Sequence, residues 1–191
     1  MPGLRKARFL LNKSLSTVER TILAATKSLV GLPLGATSLA ADIRAFQFGQ
    51  IRSRGRAWVG QYAIHVQCPW RITFRNRLVV GSDDDYLVDD MNDSREQSPM
   101  EGVLQSTLFV ERLGLGLKGL AVGSDVLGGG VANRIVKAIS TDKTAGLTVR
   151  FTNGFLLEIL PTSSSRENWR LFRPGSDDPH CVIVGVGVVW E

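Results

Sequence analysis

Acidic residues are nearly missing from the first 80 positions, which hold only Glu19 and Asp42 against 13 Lys and Arg. The deficit gives this stretch a formal charge of +11, while residues 81–101 carry −7, within a net charge of +5. Such asymmetry points to a basic surface for an anionic partner, or to two segments that neutralise each other. Cysteine is also scarce: Cys68 and Cys181 are the only two, too few for a disulfide framework and suited to a reducing cytoplasm. No apolar run approaches the roughly 18–20 residues of a membrane-spanning helix, and Val182–Trp190 is far too short. A phosphate loop ending in Gly-Lys-Ser/Thr is absent. The acidic stretch holding Asp83, Asp84, Asp85, Asp89, Asp90 and Asp93 lacks the ligand spacing, glycine and final Glu of a calcium loop.

What is present is the composition of a globular chain, 43% hydrophobic and 21% charged over 191 residues. Between Trp58 and Phe74 the sequence alternates. Trp58, Tyr62, Ile64, Val66, Cys68, Trp70, Ile72 and Phe74 fall on one side; Gln61, His65, Gln67 and Arg71 fall on the other. A period of two predicts a half-buried strand, or two strands joined at Pro69, with a polar outer face. Leu147–Thr152 and Phe155–Leu160 flank Asn153-Gly154, which predicts a hairpin with a two-residue type I′ turn. That register pairs Thr152 with Phe155 and sets Glu158 among Leu147, Val149 and Phe151. A carboxylate there needs an ion-pair partner, Arg170 or Arg71, or a raised pKa fit for general acid chemistry.

Ser16 and Glu19 form a capping box for a first helix, stopped by Gly31 and Pro33. A short second helix is expected over Leu39–Phe46, and a middle helix over Met100–Leu113. Arg77–Val80, Arg134–Ile139, Asn168–Phe172 and a centrally placed Cys181–Trp190 read as strands. The fold class is therefore α+β: N-terminal helices with a mostly antiparallel β-sheet built from hairpins, of about six to eight strands. Residues 1–45 form a basic helical segment with the acid-poor composition shared by transit peptides. Residues 46–191 form a single α+β domain with an acidic loop at 82–99. Trp70-Arg71-Ile72 and Trp169-Arg170-Leu171 faintly echo each other.

The chemistry-bearing groups are few. His65, Cys68, His180 and Cys181 are the only His and Cys residues, and strand geometry sends each His–Cys pair to opposite faces, which argues against a metal site. Gly114–Gly119 matches a dinucleotide fingerprint, but no strand precedes it and no long helix follows, so it reads as a loop. No cofactor is expected. Arg52, Arg54 and Arg56 sit at strand spacing and form a candidate phosphate-binding patch. The aromatic residues nearby fall on the core face, poorly placed to stack bases.

Ala63–Ile72, with Glu158–Pro161 and Asn168–Phe172, resembles an uncharacterised family of small bacterial proteins sharing the His-Val-Gln-Cys-Pro-Trp-Arg segment. The likeness covers roughly residues 45–185. It implies a bacterial cytoplasmic protein and brings no activity, cofactor or catalytic set with it. The expectation is a non-enzymatic binding or accessory protein meeting a protein partner through Gln61, His65, Gln67 and Arg71. The alternatives are a nucleic-acid binder using Arg52, Arg54 and Arg56, and a small hydrolase-like enzyme using Glu158.

Overall fold

The computed structural model describes residues 15–54, 57–85, 124–126 and 134–191. Helix α1 (Thr17–Thr26) opens on the expected capping box. The Glu19 amide donates to Ser16 Oγ at 3.1 Å, and the Ser16 amide to the Glu19 carboxylate at 2.7 Å. A 3₁₀ turn, Lys27–Leu29, ends it before Gly31, whose φ of 88° suits a residue without Cβ.

This is the one α-helix among the described residues. The second helix expected over Leu39–Phe46 is instead a hairpin of β1 (Leu34–Ala40) and β2 (Ile43–Phe48). Phe46 and Phe48 show why: both are fully buried. A helix would turn them about 200° apart, whereas a strand points both at one core. The middle helix, the Gly114–Gly119 fingerprint, the start of the basic segment (residues 1–14) and most of the acidic loop lie outside the described residues. Of that loop, Ser82–Asp85 form a 3₁₀ turn.

Fourteen short strands follow one another in the described residues, more than expected: two predicted runs, Trp58–Phe74 and Cys181–Trp190, are split by turns, and β1 and β2 replace an expected helix. A seven-stranded sheet combines β1 and β2 with β5 (Tyr62–Val66), β8 (Ser124–Val126), β12 (Glu167–Phe172), β13 (Cys181–Val184) and β14 (Gly187–Trp190). Its order is β14-β13-β12-β5-β2-β1-β8. A five-stranded sheet runs β7-β6-β11-β10-β9. It is built from β6 (Trp70–Phe74), β7 (Arg77–Gly81), β9 (Val136–Thr141), β10 (Leu147–Phe151) and β11 (Phe155–Ile159). β3 (Arg52–Arg54) and β4 (Ala57–Val59) make a separate two-stranded ribbon. Among the described residues, every pair of neighbouring strands is antiparallel.

The expected central strand Cys181–Trp190 folds back on itself at Gly185 (φ 58°), so β13 lies inside the sheet and β14 ends it. Glycine at the first turn position fits a two-residue hairpin. One hydrophobic core joins the two sheets. Phe46 of β2 meets Trp70 of β6 edge-to-face at 5.2 Å. Trp169 of β12 is fully buried and its Nε1 donates to the Ala145 carbonyl, between β9 and β10, at 3.0 Å. Truncating such a Trp to Ala costs about 3–5 kcal/mol. Helix α1 packs against β9 and β14, the end strands of the two sheets. Among the described residues no helix is long and apolar enough to cross a membrane.

Candidate functional site

The alternating stretch crosses from one sheet to the other. β5 ends at Val66 in the large sheet and β6 begins at Trp70 in the small one, with Cys68 and Pro69 between. The inward residues keep their expected side: Ile64, Val66, Cys68, Trp70 and Ile72 are all buried. The outward ones are parted. His65 stands on the outer face of the large sheet and Arg71 on the outer face of the small one, while exposed Gln61 and Gln67 flank β5. The four do not form one continuous face.

Glu158 is placed differently from the expectation. The observed register pairs Val149 with Leu157 and Thr148 with Glu158, one residue away from the predicted pairing. The loop has three residues, Thr152 to Gly154, closed by a 3.1 Å bond from the Gly154 amide to the Phe151 carbonyl. Only Gly154 of the three has positive φ, at 89°. This is a type I turn ended by a left-handed glycine, not a type I′ turn. The positive-φ pair occurs at Arg75 (49°) and Asn76 (61°), linking β6 to β7.

A one-residue slip moves every side chain to the other face, so Glu158 leaves the core for the outer face. There it accepts two bonds from Arg71, at 2.9 and 3.1 Å, and one from Thr73 at 3.4 Å. The Arg71 bond holds its carboxyl below the ordinary range. A carboxylate kept ionised has no proton to donate, so the geometry opposes a general-acid role. Arg170, the other expected partner, lies in the large sheet and binds elsewhere.

That second cluster occupies the outer face of the large sheet. Arg170 Nε donates to Glu167 at 2.6 Å and Nη2 closes a second bond to the same carboxylate. Nη2 also lies 3.4 Å from the Glu191 carboxylate, and Nη1 sits 3.2 Å from His180 Nδ1. For that last contact to be a hydrogen bond, Nδ1 must carry its lone pair. Phe172 stands between two imidazoles, with His65 edge-on at 4.6 Å and His180 tilted at 4.7 Å. Burial, then the Arg170 charge, pushes His65 below its ordinary pKa, so its neutral form is favoured. His180 and Glu191 exchange backbone bonds at 2.7 and 3.2 Å, tying the cluster to the β13–β14 hairpin.

The two histidines thus converge, and the two cysteines do not join them. Burial pushes the Cys68 thiol up to about 12 and Cys181 to about 11, so both stay protonated and poorly nucleophilic at neutral pH. Among the described residues no three His, Cys, Asp or Glu side chains are grouped to hold a metal. Glu167, Phe172 and Glu191 were not visible as site residues. Simple alternation sends Glu167 and Arg170 to opposite faces, and only the bulge between Glu167 and Trp169 brings them together.

Arg52 and Arg54 are exposed on β3, while Arg56 lies outside the described residues. Trp58 and Tyr62, expected on the core face, are only half-buried. At the far edge the C-terminal hairpin exposes three large apolar side chains, Val186 at 57%, Val189 at 45% and Trp190 at 54%. Compared with protein-family models, with curated proteins and with solved structures, the chain matches none.

Proposed function

We propose that the protein is a non-enzymatic binding or accessory protein that recognises a protein partner. Its recognition surface centres on the C-terminal hairpin and the His65–Arg170 side of the large sheet. The observation that carries this reading is the exposure of Val186 in the turn of the C-terminal hairpin and of Val189 and Trp190 on the strand at the sheet's end. Val189 shares the face of Arg170 and so sets an exposed aliphatic group beside a rigid polar network, while Trp190, on the other face of the same strand, is exposed at the sheet's end. Trp and Arg are the residues that dominate the energy of interface centres. Arg170, pinned by Glu167, supplies the rigid polar neighbour. The groups that catalysis would need are engaged otherwise: Glu158 is ion-paired and both thiols are buried. Two buried free thiols also fit the reducing cytoplasm of a bacterium.

The test is affinity purification of the tagged full chain from native lysate at low and high salt, followed by light scattering. The expected result is one protein retained at fixed stoichiometry by the parent chain and lost by Val189→Ser/Trp190→Ser, with the thermal midpoint kept. A chain that emerges alone and monomeric at every salt would overturn the proposal. So would a partner held equally well by the double variant.

A further inference from the structure

We infer that a second surface, formed by the β3–β4 ribbon, the start of β5 and the turn after β12, binds single-stranded nucleic acid. Arg52 and Arg54 stand two apart on β3, so their side chains leave the same side of the ribbon, and both are exposed. Arg52 bonds only the neutral Gln50 Oε1, at 3.3 Å, and neither guanidinium meets a carboxylate among the described residues. Among the described residues, nothing neutralises their charge, which leaves it available to an external anion.

The turn after β12 brings a third cation to the same place. The Ser176 amide donates to the Arg173 carbonyl at 3.1 Å, and Gly175 takes a φ of 79°. A Cβ on Gly175 would lie 3.1 Å from Arg54 Nη1, so the bare glycine backbone lets that guanidinium rest on the turn. Arg173 lies over the Tyr62 ring, 5.8 Å from its centre. Its partner Asp178 is 2.9 Å away, but both side chains are half-exposed, and such a pair is weak enough to yield to a phosphate.

Tyr62 packs against the core and Arg173 covers its ring, so a phosphate that draws Arg173 aside uncovers the ring for a base. Three guanidinium groups for phosphate contacts and one platform are the two elements a single strand needs. A duplex fits poorly, because groove reading takes a helix or a longer two-stranded ribbon, and β3 and β4 have three residues each. An acidic peptide would use the charges but leave Tyr62 without a role.

Fluorescence anisotropy on the full chain tests this with a labelled short oligothymidylate, the matching duplex and polyglutamate. The expected result is a preference for the single strand, with log affinity falling against log salt at a slope near about −2 for three phosphates. Arg52→Ala/Arg54→Ala should weaken binding at least about tenfold and flatten that slope, with thermal stability unchanged because both residues are exposed. Tyr62→Leu should weaken binding about fivefold or more at an unchanged slope. The inference is overturned by no binding at about 50 mM salt, by equal affinity for duplex or polyglutamate, or by undiminished binding in the double arginine variant.

Discussion

Trp70-Arg71 and Trp169-Arg170 are built alike and end up in different circumstances. In both dipeptides the Trp is buried in the shared core and the Arg leaves the outer face to grip a glutamate through two bonds. Arg71 reaches across to Glu158 on the neighbouring strand, and its side chain is 48% exposed. Arg170 reaches along its own strand to Glu167, at 24% and 16% exposure, and also faces His180 and Glu191. The first pair is a marker of register in water: a one-residue slip of β11 would separate it. The second ties together a bulge, two histidines and the closing strand of the sheet. The same two residue types therefore contribute differently, and their surroundings decide how much.

The largest expected effect comes from removing Arg170. Arg170→Ala leaves Glu167 without its cation in a half-buried setting and removes the guanidinium beside His180, a loss of about 2–3 kcal/mol. Arg71→Ala leaves Glu158 near solvent and should cost under about 1 kcal/mol. Urea unfolding of the two variants side by side checks this, and equal losses would break the comparison. A finer version is the double-mutant cycle for Arg71→Ala and Glu158→Ala, with coupling of roughly 0.2–1 kcal/mol that shrinks as salt is raised. Coupling insensitive to salt would show that the pair is more desolvated than its exposure indicates.

The features legible in the sequence are those governed by local chemistry. Ser16 and Glu19 marked the helix start, and strict alternation sent Cys68 and Trp70 inward, His65 and Arg71 outward. Alternation reports faces but not sheets, so it could not show that His65 and Arg71 stand on different ones. Asn153-Gly154 is compatible with either a two- or a three-residue loop, and that single difference decided which face Glu158 occupies. Meanwhile the positive-φ turn formed at Arg75-Asn76, without glycine. Leu39–Phe46 has good helix formers, yet core burial of Phe46 and Phe48 overrode that local preference. The Arg170 cluster depends on a bulge, which leaves no periodic trace.

The smallest expected effect is a pH dependence that separates the two faces. On the large sheet the groups felt by His65 are Arg170 and His180, which lower its pKa with burial, and Glu167, which opposes them. Its folded pKa lies below the ordinary 6.5, so the unfolded chain takes up the proton first. Its contribution to stability is complete above pH 6.5 and is lost as the pH falls from there through the folded value. On the small sheet Glu158 is also lowered, from 4.5, so its contribution is present above that pH and is lost only as the pH falls through its own folded value. Urea midpoints measured across this range should therefore decline in two stages. His65→Phe keeps a ring beside Phe172 without the titrating nitrogen and should remove the upper stage alone. Glu158→Gln should remove part of the lower stage alone. If His65→Phe leaves the decline just below pH 6.5 untouched, the enclosed cluster does not set that dependence, and the contrast between the two arginine pairs rests on Arg170 only.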